Sequence, residues 1–244
     1  MSGHSKWATI KHKKAATDAK RGAAFTKIIK EITTAAREGG GNTETNVRLR
    51  TAMQRAKFLN MPSNNIDNAI KKGTGELPGI TYESAIFEGY GPGGVALLIE
   101  TITDNKNRTV SELRMALNKK NGSMAGAGST SWIFAKKGFI TISTKKAKED
   151  ELMDVVLAAG AEDLTTEGDV YEVTTSPASF EAVKVALEAK KIQPDTVEMT
   201  MIPSSTVKVV GNDAKQVLAL METLEDHEDV QAVYANFDIP DEEL

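Results

Sequence analysis

Near residue 75 the spacing of apolar residues changes its period, and this switch divides the chain into two kinds of structure. Before it, apolar residues recur three and four apart, the repeat of one helical face. After it, short alternating or continuous apolar runs interleave with helical stretches. The charge changes at the same place. Residues 1–75 carry 15 Lys and Arg against 5 Asp and Glu, a formal +10, whereas residues 76–244 carry 15 against 29, a formal −14. The overall −4 therefore hides a polarised molecule, whose basic end leads in the field of a polyanion.

Other features narrow the class. A chain of 244 residues can form one to three compact domains. The absence of cysteine excludes disulfides, thiolate metal sites and a cysteine nucleophile, and suits a reducing cytosol. The apolar run Val95–Ile99 is far short of the ~20 residues that a membrane-spanning helix needs. The N-terminus is basic but lacks the apolar stretch of a secretory signal. Its basic character, which a transit peptide would share, continues through a patterned 75-residue unit, so the expected location is cytoplasmic.

Within the basic part, Phe25, Ile28, Ile29, Ile32 and Ala36 predict a helix from Asp18 to Arg37. Lys13, Lys20, Lys27, Lys30 and Arg37 fall on its opposite side, and Gly39-Gly40-Gly41 ends it. A second helix is expected from about Thr45 to Leu59, with Leu49, Ala52, Met53, Ala56 and Leu59 inward. Its cations sit seven apart, Arg48 with Arg55 on one flank and Arg50 with Lys57 on the other. Ser63 is a candidate N-cap for a third helix that buries Ile66, Ala69 and Ile70 and closes with Lys71-Lys72 before Gly73. Gly73 to Gly79 reads as a linker.

Beyond it, Ala85–Phe87 and Val95–Thr101 read as strands, Arg108–Asn118 as a helix burying Val110, Leu113 and Leu117, and Asn121–Ser131 as a loop. Residues 138–202 fit the order βαββαβ. Thr206–Val210, Ala214–Leu224 and Val230–Phe237 add a strand, a helix and a strand, complementing the ββα segment of residues 81–120. The expected organisation is a basic helical domain at 1–76, a discontinuous α+β domain at 80–132 plus 204–240, and an inserted βαββαβ domain at 136–203.

The segment Gly3-His4-Ser5-Lys6-Trp7 through Lys14 packs cations, two imidazoles and one indole together. Lysine heads neutralise phosphates and release counterions, and an indole stacks on exposed bases. Trp7 reads equally well as a core anchor. The candidate nucleic-acid contacts are Lys6, Trp7, Lys11, His12, Lys13, Lys14, Lys20, Arg21, Lys27, Arg48, Arg50, Arg55 and Lys57. Roughly six phosphate contacts would weaken binding by about three orders of magnitude between 50 and 200 mM salt. His227, in Glu225-Asp226-His227-Glu228-Asp229, reads as part of a solvated acidic turn, with weak divalent binding as the alternative. Gly89-x-Gly91-x-x-Gly94 matches the dinucleotide fingerprint as a string, but it leads into a strand instead of opening a helix, so it reads as a hairpin turn. Thr103 to Thr109 reads as a capped turn; an enzyme using Asp104, Asn105 and Arg108 would lack a nucleophile–base pair. No catalytic residue, metal, cofactor, small-molecule substrate or membrane contact is expected.

The strings GHSKWATIKHKKAATDAKRGAAFTKIIKEI, NMPSNNIDNAIKKGTG, EGYGPGGVALLIETITDNKNRTVSELR and GSTSWIFAKKGFI closely resemble the signatures of the YebC family, over nearly the whole chain. The resemblance implies α+β architecture: an N-terminal three-helix domain followed by two ferredoxin-like α+β domains, one of them discontinuous. It also implies a non-enzymatic, cytoplasmic regulator. Bacterial members are described as DNA-binding regulators of transcription; others act on translation at the ribosome, where the partner would be ribosomal RNA and the effect relief of stalled synthesis. The chain departs from the pattern at Ala23 and Asn68, where members often carry a cation, and at Thr43 and Val47, which replace common prolines.

Overall fold

The computed structural model describes residues 18–240, with side chains described from residue 22 onward. It is an α+β protein in which a helical region precedes sheet domains. The helices are α1 (Asp18–Gly39), α2 (Val47–Phe58) and α3 (Ser63–Thr74). Ile32, Ala35 and Ala36 of α1 meet Leu49, Ala52 and Ala56 of α2 and Ile66 and Ala69 of α3, with Met61 closing the core. Alanine at five of these nine positions lets the helix backbones approach closely.

The second helix, expected from about Thr45, begins at Val47 and is capped by Asn46. Its Oδ1 accepts from the Leu49 amide at 3.0 Å, while Nδ2 donates to the carbonyls of Ala35 at 2.7 Å and Gly40 at 2.8 Å. One buried amide thus starts α2 and satisfies carbonyls left open at the end of α1. Ser63 is the first residue of α3, not its cap; Pro62 holds the cap position and accepts through its carbonyl from the Asn65 amide. The helix also runs past Gly73 to Thr74, and Gly75, at φ +86°, is the left-handed terminator.

Gly73 has a different task, because α3 crosses α1 there. A Cβ at that position would lie 2.4 Å from the Thr33 carbonyl oxygen and 2.7 Å from Ala36 Cβ. Gly73→Ala is therefore expected to destabilise the protein by about 1–2 kcal/mol, because overpacking outweighs the helix-propensity gain of alanine. Urea denaturation measures this, and an increase in stability would contradict the close approach.

The described residues form two compact units, one covering 132–205 and the other the remainder, including the helical region. In the latter, β1 (Glu83–Tyr90) and β2 (Ala96–Thr103) form an antiparallel hairpin. After β2 come α4 (Lys106–Asn118) and the short strand β3 (Ser123–Ala125), which pairs with β1. The segment 121–131 is thus not wholly loop. The 132–205 unit contains β4 (Phe134–Ser143), α5 (Glu149–Ala158), β5 (Ala161–Glu167), β6 (Val170–Thr175), α6 (Phe180–Ala189) and β7 (Thr196–Pro203). Its antiparallel sheet has the order β5-β6-β4-β7, the ferredoxin-like arrangement. Ile140, Ile142, Tyr171 and Val173 on the sheet pack against Leu152, Val156, Val183 and Leu187 on its helices.

The chain then returns to the first sheet through β8 (Val207–Lys208), α7 (Gly211–Asp226), β9 (Val230–Ala235) and β10 (Phe237–Asp238). β9 pairs with β2, giving the order β3-β1-β2-β9. Leu97, Ile99, Val233 and Ala235 face Leu113 and Leu117 of α4 and Val217, Leu220, Met221 and Leu224 of α7. The expected continuous strand over 230–237 breaks at Asn236. Its amide donates to the Ala96 carbonyl at 3.2 Å and its Oδ1 accepts from the Ala96 amide at 2.7 Å. The chain turns there, and β10 pairs in parallel with β8.

Candidate nucleic-acid interface

Among the described residues, helix α2 supplies the exposed cations of the expected contact set. Its sequence, VRLRTAMQRAKF, contains four cations and no acid. Leu49, Ala52 and Ala56 point into the core. At 100° per residue the opposite face is centred on Val47, Thr51, Gln54 and Phe58, with Arg55 on one flank and Arg50 and Lys57 on the other. All seven are exposed. Arg50 Nη1 donates to the Thr43 carbonyl at 3.1 Å, which orients its guanidinium from the helix start.

The remaining expected contacts are placed differently. Lys6, Trp7, Lys11, His12, Lys13 and Lys14 lie outside the described residues, as do the side chains of Lys20 and Arg21 on α1. Arg48 is engaged within the fold. Its Nε and Nη2 donate to the two oxygens of Glu31 at 2.7 and 3.1 Å, and Nη1 donates to Glu38 at 2.5 Å. The Glu31 hydrogen bonds outweigh the opposing effect of burial, and with the Glu38 pair they raise its pKa. Lys27 Nζ donates to the Glu225 carbonyl at the end of α7. Arg48 and Lys27 are therefore not free cations on a binding face.

Lys30, expected on the solvent side of α1, is 6% exposed. Its Nζ donates to Asp229 Oδ1 at 2.7 Å and to the Glu228 carbonyl at 3.2 Å, and lies 5.8 Å from the Tyr82 ring centroid. Lys27 and Lys30 thus hold the carboxyl end of α7, where the helix dipole is negative. Asp229, expected in a solvated acidic turn, is completely buried. Its Oδ2 also accepts from Arg108 Nη2 at 2.9 Å, Thr109 Oγ1 at 2.8 Å and Thr103 Oγ1 at 3.2 Å. Burial works to raise the Asp229 pKa, but the bonds from Lys30, Arg108 and Thr109 hold it well below the ordinary carboxylate range. The bond to Asp229, in turn, raises the pKa of Arg108.

The same cluster settles what neighbouring residues do. Asn105 caps α4, accepting from the Arg108 amide at 3.1 Å, and Asp104 pairs with Arg108 at 2.9 Å. Thr109 takes the inward position expected of Val110. Glu112, His227 and Asp229 offer ligand atoms within 4.8 Å of one another, the geometry of a small cation site. However, His227 Nδ1 accepts from the Asp229 amide at 3.1 Å, which leaves Nε2 to donate to Glu112 at 2.9 Å. With both His227 nitrogens engaged and Asp229 already facing two cations, the triad is tied together by hydrogen bonds. Among the described residues, no helix is long and apolar enough to cross a membrane.

Together these features define a class: an α+β protein with a basic helical region latched to a sheet domain by a buried ion cluster. A crystal structure of a conserved hypothetical protein from Aquifex aeolicus is similar over 97% of this chain and 98% of that one, with a TM-score of 0.83 and 45% identity. Residues 5–76 match the family model described as the TACO1/YebC protein N-terminal domain, and residues 82–237 match the TACO1/YebC second and third domain. The chain belongs to the TACO1/YebC family. A protein of Desulforapulum autotrophicum, 55% identical over 99% of this chain and 98% of its own length, is named a probable transcriptional regulatory protein. A relative in Geobacter sulfurreducens, 55% identical over 100% and 98%, carries the same description.

Proposed function

We propose that this protein is a non-enzymatic regulator of transcription that binds DNA through the phosphate backbone, using the basic helical region. The observation that carries this reading is the outer face of α2, where Arg50, Arg55 and Lys57 are exposed on a helix with no acidic residue. Solvated helix faces ordinarily mix both signs. The names of the relatives support a regulatory role, and the acidic remainder of the chain, a formal −14, disfavours phosphate contact elsewhere. The groups around Asp229 are committed to one another, which leaves no nucleophile with a free base there.

Salt dependence tests the mechanism. For a 20-base-pair duplex, Arg55→Ala/Lys57→Ala is expected to make the log–log salt slope shallower by about 2, measured by fluorescence anisotropy between 50 and 200 mM salt. Arg48→Gln is expected to leave the slope unchanged, because Glu31 and Glu38 already neutralise that guanidinium. A wild-type affinity indifferent to salt would overturn the electrostatic mechanism. Crosslinking in cells with sequencing of the attached nucleic acid tests the target: discrete promoter DNA supports the transcriptional reading, and predominantly ribosomal RNA replaces it with a translational one.

A further inference from the structure

We infer that Phe58 is a stacking platform for unpaired bases, so that the outer face of α2 takes single-stranded nucleic acid in preference to a duplex. The inference rests on the reading that the helical region binds nucleic acid. Phe58 is 85% exposed at the last position of α2, and Val47, on the same face, is 61% exposed. Neither belongs to the core of the helical region, which is complete without them. A phenyl ring left in water on a helix whose other side is well packed does nothing for the fold.

Its surroundings select the occupant. Arg55 lies one turn before Phe58, the spacing at which helical side chains are neighbours, and Lys57 stands on the other flank. The ligand must therefore present anionic charge on both sides of a flat apolar surface. An unpaired nucleotide has this arrangement, with the base on the ring and the phosphates on the cations. In a duplex the base faces are already stacked on one another, so Phe58 would have nothing to cover. A protein interface would bury a wider apolar centre depleted of charge, and an interfacial membrane helix would need a longer apolar stripe than Val47 and Phe58 supply.

The experiment compares wild type, Phe58→Ala and Phe58→Trp in the full chain, using 12-nucleotide single-stranded DNA and RNA and the matching duplex, read by anisotropy at two salt concentrations. Phe58→Ala is expected to weaken single-strand binding by about 5- to 100-fold with an unchanged salt slope, and to change duplex binding less than twofold. Phe58→Trp is expected to retain single-strand binding and to show emission quenching, beyond that of wild type, with single strands only. Because Phe58 is outside the core, all three proteins should melt alike by circular dichroism. If wild type binds no nucleic acid, the parent reading fails. If wild type binds with a steep salt slope but Phe58→Ala binds single strands equally well, or loses single strand and duplex equally, the stacking inference is overturned and the phosphate reading stands.

Discussion

Asp229→Ala is expected to remove about 3–5 kcal/mol of folding stability, because it leaves Lys30 buried and Arg108 partly buried without their shared partner. The pair joins α1 to the turn after α7, elements whose paired residues lie 199 positions apart, so the loss should fall on the docking of the helical region. Limited proteolysis is expected to cut faster between α3 and β1 in this variant. Asp229→Asn separates charge from shape: an acceptor for the Thr109 hydroxyl remains, while Lys30 loses its counter-ion and Arg108 is left with Asp104 and more distant carboxylates. A double-mutant cycle with Lys30→Met should give a coupling above about 1 kcal/mol, since the methionine removes the charge that the asparagine leaves unpaired. A coupling near zero would show that the contact contributes nothing beyond packing. The sign with pH follows from the depressed Asp229 pKa. The stabilisation is present above the unfolded value near 4 and is lost as pH falls below it, so the variant and wild type should converge in acid.

The helices around Ile32, Leu49 and Ile66 were legible because each has a continuous apolar face, and a 3.6-residue period reports burial directly. The β1–β2 hairpin was legible for a similar local reason: Val95–Ile99 is too short for an isolated helix, and a glycine-rich turn precedes it. What escaped was set by distant partners. Lys30 has the wheel position of a solvent-facing lysine, and nothing within its own helix indicates that α7 ends against it. Asp229 sits in five consecutive polar residues, a pattern that reads as solvated, yet Thr103, Arg108 and Thr109 converge on it across more than 100 positions. The misassigned stop at Gly73 has the same origin, because a glycine that lets two helices touch looks identical to one that ends a helix. Of the expected contact surface, Arg50, Arg55 and Lys57 are exposed together, while Arg48 and Lys27 are held by groups that charge counting does not locate. Phe58 carried no signal of its own, since a single outward apolar residue is common on helices.

Glu88→Gln is expected to destabilise the protein by about 3 kcal/mol at pH 7 and to flatten the acid limb of its stability curve. Glu88 lies on β1 and is 6% exposed. Its Oε1 accepts from the Gly128 amide at 2.7 Å, and its Oε2 from the amides of Thr130 at 2.6 Å and Ser131 at 2.9 Å, with the Thr130 hydroxyl at 3.1 Å. Burial alone would raise its pKa, but the donors from Thr130, Gly128 and Ser131 outweigh it and lower the value to about 2 from an ordinary 4.5. A folded pKa below the unfolded one stabilises the protein above about 4.5, and that contribution disappears as pH falls toward 2. Glutamine has one acceptor oxygen and turns an NH2 group toward donors, so it cannot replace the carboxylate at neutral pH. Urea denaturation at several pH values reads the effect: the two stability curves should differ most near pH 7 and approach one another near pH 2. Parallel curves would mean that Glu88 is not held ionised by this loop. Because Asp229 contributes to the acid limb of both proteins, only the difference between the curves isolates Glu88. The loop that the carboxylate gathers, 126–131, leads directly into the 132–205 unit. Glu88→Gln should therefore also speed amide exchange at Gly128, Thr130 and Ser131 while leaving the amides of α2 and α3 unchanged, which places the loss at the entry to that unit and not in the helical region.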